Sequence, residues 1–262
     1  MSRRFFLPAV LVLLLTVTVF AQLRDVTAAG GTAWVFIAVG VAAGIVLLFA
    51  ARFETSGMHA RVLAIVALLG TLSALFRVPF AAAPSLQPST YLVICSGYVF
   101  GPVAGFAVGA LTAIVSNFFL GHGPWTLFQM LAWGLAGASA VALRRVTLRR
   151  RWLVLMGIAW GMVFGIIMNL WTWIGFVYPL TARTFMVTWM ASLPFDVMHA
   201  AGNALFLGLL GIRTIRILER YHGRFEWVRQ EDVEGTATSV GEANGEPDPV
   251  ENTGAMKTSL VE

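Results

Sequence analysis

Of 262 residues only 12% are charged and 58% are hydrophobic, and the formal net charge is +5. A soluble domain carries about a quarter charged residues, so the composition excludes a soluble enzyme and a soluble nucleic-acid-binding domain. A lone lysine, Lys257 in the C-terminal tail, excludes a Walker-type phosphate loop, and a lone cysteine, Cys95, excludes an intramolecular disulfide.

The apolar stretches are continuous rather than alternating, which predicts an all-α, polytopic transmembrane helical bundle and not a barrel. Spans are expected at 5–21, 33–50, 60–76, 88–100, 103–120, 127–143, 152–176 and 187–210. The span at 88–100 is short against the roughly 20 residues that cross a bilayer as helix, so a tilted, kinked or re-entrant segment is expected there. The first span follows Arg3 and Arg4 and ends near Val19-Phe20-Ala21. It reads either as a retained helix, the reading adopted here, or as a cleaved signal peptide.

Arginines fall on alternate connections. One set holds Arg3, Arg4, Arg52, Arg61, Arg144, Arg145, Arg149, Arg150, Arg151, Arg213, Arg216, Arg220, Arg224 and Arg229; the other holds Arg24, Arg77 and Arg183. The positive-inside rule places the first set in the cytoplasm, with both termini if the first helix is retained. The chain then divides into N-terminal membrane helices (1–57), a core (58–211), a basic cytoplasmic segment (212–230) and a tail (231–262). The tail holds eight of the thirteen acidic residues and reads as disordered.

With this topology the polar residues inside the spans gather at outer helix ends. They are Asn117, Gln129, Asn169 with Trp171 and Trp173, and Asp196 with His199 and Asn203. Polar side chains in hydrocarbon are costly unless they face the bundle or a wet cavity. One outward-opening cavity lined by these residues is therefore expected. Asp196, the single acid within the spans, shares a helix face with His199 and Asn203. The group is either a ligand site or a hydrogen-bonded tie between helices. Gly121-His122-Gly123-Pro124-Trp125-Thr126 forms a turn in which glycine lets backbone approach a ligand. Trp125 reads equally as an interfacial anchor, and for Trp171 and Trp173 the anchor reading is the favoured one. Small residues at four-residue spacing (Gly105 and Gly109; Gly157, Gly161 and Gly165; Ala60 and Ala64; Gly70 and Ala74) predict close helix packing, and the stripe on 60–76 could instead receive a partner helix.

Several of these pieces together resemble the substrate-binding S component of energy-coupling factor (ECF) vitamin transporters. They are Arg77-Val78-Pro79-Phe80 with Gln87-Pro88, Gly97-Tyr98-Val99-Phe100-Gly101-Pro102, Gly105-Phe106 with Gly109-Ala110, Ser116-Asn117 with Gly123-Pro124-Trp125-Thr126 and Gln129-Met130, and Asp196 with His199-Ala200 and Gly202-Asn203. The resemblance covers about residues 58–211 and implies a six-helix core, here preceded by about two extra N-terminal helices, in the bacterial cytoplasmic membrane. It implies that the loops 77–88, 121–126 and 177–186 close over a vitamin. It also implies docking, through Ala60, Ala64 and Ala67, on a transmembrane (EcfT-like) coupling protein served by two cytoplasmic ABC ATPases. The Gly123-Pro124-Trp125-Thr126…Gln129 pattern is most similar to members assigned to cobalamin or its precursors, with another vitamin such as riboflavin, folate, pantothenate or a queuosine precursor as the alternative. The substrate-binding residues expected are Arg77, Gln87, Asn117, His122, Trp125, Thr126, Gln129, Asn169, Trp173, Asp196, His199 and Asn203; no catalytic residue, metal, cofactor or nucleic acid is expected.

Two other functional classes compete. Ser96 with His199 superficially resembles the dyad of a rhomboid protease, but Ile94 stands where that pattern expects glycine, and the two side chains are expected at different depths. A self-sufficient proton-coupled carrier would use Asp196 and His199 as a relay.

Overall fold

The computed structural model describes residues 32–56, 58, 60–83, 85–146 and 148–223. The expected first span, with its signal-peptide alternative, and the acidic tail lie outside these residues. Seven helices follow in order: α1 (Thr32–Thr55), α2 (Ala60–Arg77), α3 (Ser89–Phe100), α4 (Pro102–Leu120), α5 (Trp125–Ser139), α6 (Arg150–Phe176) and α7 (Ala182–Phe206). Short 3-10 turns follow α2 (Pro79–Ala82) and α5 (Ala140–Arg145), and a π-turn (Leu207–Gly211) continues α7. Six of the helical stretches are long and apolar enough to cross a membrane; Ser89–Phe100 is the shorter apolar one.

That shorter helix is the centre of the bundle. At 1.5 Å per residue α3 is only about 18 Å long, yet ten of its residues, Ser89–Gly97 and Val99, are buried. It packs against α2, α4, α5, α6 and α7. A helix enclosed by protein on every side need not match the bilayer thickness, because its backbone ends are satisfied by neighbours. Arg144 supplies one such partner: its Nε donates to the Tyr98 carbonyl and its Nη2 to the Val99 carbonyl.

Gly101 alone joins α3 to α4. It sits at φ 89°, a conformation glycine adopts without strain, and Pro102 opens the next helix. On either side of this reversal Gly97 and Gly105 face each other and Gly137 of α5. A Cβ on Gly97 would land on the Gly137 carbonyl, and one on Gly105 would lie 2.5 Å from the Gly97 Cα. Three backbones therefore meet at one point.

A second seam joins α6 to α7. Gly157, Gly161 and Gly165 lie against Asn203, Ala200 and Asp196 in antiparallel register. The expected four-residue glycine spacing thus serves internal packing here. On α2 the expected stripe divides. Gly70 and Ala74 are buried, Gly70 against Leu111 of α4, whereas Ala60, Ala64 and Ala67 are exposed.

Helix α1, the second of the two expected extra N-terminal helices, packs on α4, α5 and α6. Phe49 stacks on Phe106 at 3.9 Å, and Ala42 is buried with Phe128 and Trp171.

Two expected loops are shorter than the sequence suggests. The loop after α6 ends at Thr181 rather than residue 186, because Thr181 caps α7 by accepting from the Thr184 amide while Thr184 returns a bond to the Thr181 amide. Trp125 and Thr126 belong to the first turn of α5 and not to the preceding turn.

Candidate substrate-binding site

A buried polar cluster occupies the end of the bundle where α2 and α4 finish and α3 and α5 begin. Its centre is Arg77, the last residue of α2, which is 9% exposed. The Arg77 Nε donates to Gln87 Oε1 at 3.0 Å; its Nη1 donates to Ser116 Oγ at 2.6 Å and to Asn117 Oδ1 at 2.8 Å. The Asn117 amide then donates to Thr126 Oγ1 at 2.9 Å and to Gln129 Oε1 at 2.7 Å. Asn117 thereby ties the end of α4 to the start of α5 and to the end of α2. Its two faces are used as its chemistry requires, the carbonyl accepting from the cation and the amide donating to two neutral oxygens.

Beneath the guanidinium lies Trp133, with the Arg77 Cζ 4.9 Å from the ring centroid, a cation–π arrangement. The Trp133 indole N–H donates to Thr90 Oγ1 at 3.1 Å, and Thr90 Oγ1 lies 2.9 Å from His199 Nε2. Phe164 packs edge-on against His199 and tilted against Trp133, each at 4.8 Å. Six helices therefore contribute to one continuous constellation, α2 to α7, with Phe164 from α6 and Gln87 from the loop between α2 and α3.

The constellation gathers Arg77, Gln87, Asn117, Thr126, Gln129 and His199. Thr90, Ser116 and Trp133 are integral to it as well. Thr90 and Trp133 were not singled out by the sequence, since a threonine and a tryptophan within apolar helices look like ordinary membrane-helix residues. Ser116 was legible only as the neighbour of Asn117.

The remaining candidates stand elsewhere. Asn169 donates to Ser192 Oγ at 2.6 Å, and Ser192 lies 3.1 Å from Asp196 Oδ2, so these three form their own group on the α6–α7 seam. Asn203 donates to the Gly157 carbonyl at 3.1 Å, lower on the same seam. The Trp173 indole donates to Thr184 Oγ1 at 2.9 Å and its ring meets Phe185, which fastens the α6–α7 loop. Trp125 lies over Gly123 and is 38% exposed. His122 is exposed and edge-on to Phe118.

Asp196 and His199 face different neighbours. Among the described residues no hydrogen bond joins them. Ser96 donates to the Leu92 carbonyl at 2.6 Å, one turn back in its own helix, while His199 pairs with Thr90. The hydroxyl and imidazole of the competing dyad are thus each engaged apart. Among the described residues no group of three or more His, Cys, Asp or Glu side chains could hold a metal ion.

The model of the family described as "ECF transporter, substrate-specific component" matches residues 61–210. The chain belongs to this family. It is the substrate-specific, non-catalytic subunit of an ECF transporter and a multi-pass membrane protein. Membership implies a membrane complex with an EcfT coupling protein and ATPases. The comparisons with curated proteins and with solved structures gave no match. The matched segment starts one residue into α2 and ends within the π-turn, so the S-component core is the six helices α2–α7, with α1 packed on it from outside the matched region.

Proposed function

We propose that this S component captures a corrinoid, cobalamin or one of its precursors, from the exterior for ATP-driven uptake. The observation that carries the reading is the Arg77–Asn117–Thr126–Gln129 network. It joins the Gly123-Pro124-Trp125-Thr126…Gln129 segment, the part most similar to cobalamin-type members, to the buried cation Arg77. The arginines of the opposite end, with Arg144 and Arg145 after α5, Arg52 in the last turn of α1 and Arg61 in the first turn of α2, support an outward-facing polar cluster by the positive-inside rule. The loop 78–88, the turn 121–124 and the loop 177–181 would close over the ligand. The exposed Ala60, Ala64 and Ala67 on α2 offer small side chains to a helix of the coupling protein. Asp196 and Asn169, hydrogen-bonded through Ser192, would support the site from the α6–α7 seam.

Reconstitution in liposomes tests this. Labelled cobalamin is expected to enter only when the coupling protein, both ATPases and ATP are present. Entry with this chain alone, abolished by collapsing a proton gradient, would overturn the reading in favour of a self-sufficient carrier.

A further inference from the structure

The bonds around Arg77 leave one edge of its guanidinium incompletely used. Nη1 spends its two protons on Ser116 and Asn117. Nε and Nη2 lie along the other edge, the one that grips an oxyanion with two parallel N–H bonds. On that edge Nε is held by the neutral amide oxygen of Gln87, and Nη2 has no hydrogen-bond partner among the described residues. The charge is also unmatched. Among the described residues every partner of Arg77 is neutral and no carboxylate pairs with it.

Two features offset the cation only in part. Arg77 ends α2, where the helix contributes about half a negative charge, and Trp133 presents its ring face. A guanidinium this deep in a bundle within a membrane ordinarily has a full counter-charge.

We propose that the Nε/Nη2 edge of Arg77 receives an oxyanion of the substrate, a phosphate or a carboxylate, and that Gln87 is the resident acceptor it displaces. Gln87 belongs to the loop between α2 and α3, so its release couples binding of the anion to movement of that loop. Arg77 is enclosed by Trp133, Ser116 and Asn117, all buried, which assigns the anion to a ligand entering the bundle and not to a lipid headgroup outside it. The inference rests on the reading above that this end of the bundle is the substrate end.

Binding of cobinamide, cobinamide phosphate and cobalamin to the purified chain in phosphate-free detergent tests it. The first two differ only in the phosphate. A hydrogen-bonded charge pair predicts that the two phosphate-bearing ligands bind about ten- to a hundredfold more tightly than cobinamide. In R77Q the ratio is expected to fall to near one, and Q87A is expected to retain it. The ratio cancels any general loss of fold, and the wild-type values alone suffice if R77Q cannot be purified. Equal binding of all three, or a ratio unchanged in R77Q, overturns the proposal and leaves the corrinoid reading standing. Added phosphatidylglycerol should leave the ratio unchanged; abolition of the ratio by lipid would reassign the oxyanion to a headgroup and overturn it too. A chain that binds none of the corrinoids but binds pantothenate or biotin, with the same loss in R77Q, sinks the corrinoid reading and keeps the oxyanion site. Binding of riboflavin or thiamine instead, or of no vitamin in the panel, overturns both.

Discussion

Replacing Gly97 by alanine is expected to abolish the folded bundle. The added methyl would fall on the Gly137 carbonyl of α5, at a crossing where Gly105 of α4 also lies against Gly97. The obstruction is backbone, so no side-chain rotation relieves it; α3 must separate from α5. Overpacking in a core that can relax costs about 1–3 kcal/mol, and a crossing of three backbones should exceed that range. Because α3 is the helix on which all the others except α1 pack, the loss propagates through the core. Gly175→Ala provides the contrast. Its methyl would meet only the Trp171 ring, at 3.9 Å, an ordinary contact. Thermal unfolding and size-exclusion profiles in detergent should show Gly97→Ala aggregated or absent and Gly175→Ala within a few degrees of the parent. A monodisperse Gly97→Ala protein with an unchanged midpoint would refute the described crossing.

The second large effect is expected from Asn117→Ala. This substitution withdraws the acceptor from Arg77 Nη1 and the donor from Thr126 and Gln129 in one step. Interhelical hydrogen bonds in membranes average only about 0.6 kcal/mol, so the three contacts alone predict a modest change. The stranded groups matter more. Each buried polar group left without a partner costs about 1–3 kcal/mol, and a charged one costs more. Asn117→Ala should therefore destabilise the chain by several kcal/mol, about three times the cost of Ser116→Ala, which removes one acceptor from Arg77 while Asn117 remains. It should also lower substrate affinity more than tenfold, since the side chain fixes the direction of both Arg77 and Gln129. Denaturant titration followed by tryptophan fluorescence, paired with ligand titration, checks both effects. Equal midpoints for the two variants would remove Asn117 from the centre of the network.

Much of the architecture is legible in the residues because a bilayer demands long apolar helices, and these leave an unmistakable pattern. The position of α3 is not legible. A helix buried on all sides by protein and a helix bathed in lipid are equally apolar, so only the short length of Ser89–Phe100 hints at its place. The start of α7 is obscured for a local reason: its cap is a threonine pair, Thr181 and Thr184, where an acidic or amide residue at the third position would have marked the turn. Glycine spacing predicts close packing along one helix, yet nothing in one helix's spacing says that Gly97, Gly105 and Gly137 converge from three.

Within the candidate site the same division holds. Arg77, Gln87, Asn117, Thr126 and Gln129 draw notice because a charge, an amide or a hydroxyl beside a glycine-rich turn is conspicuous in an apolar chain. Thr90 and Trp133 do not, because their roles come from juxtaposition. The indole that reaches Thr90 also lies beneath the guanidinium, across three helices. Helical periodicity places Asp196, His199 and Asn203 on one face, and it cannot say that this face divides between neighbours. The α6 glycines draw Asp196 and Asn203 to one side, and Thr90 draws His199 to the other.

Under the proposed function this chain captures the corrinoid by itself. Titration of the purified, detergent-solubilised chain with cobalamin, read by corrin absorbance of the co-eluting complex and by mass spectrometry, tests it most directly. The account predicts one corrinoid per chain, held tightly enough to survive size exclusion and lost together with the Arg77–Asn117 network. A well-folded chain that elutes free of corrinoid at saturating concentration would contradict it.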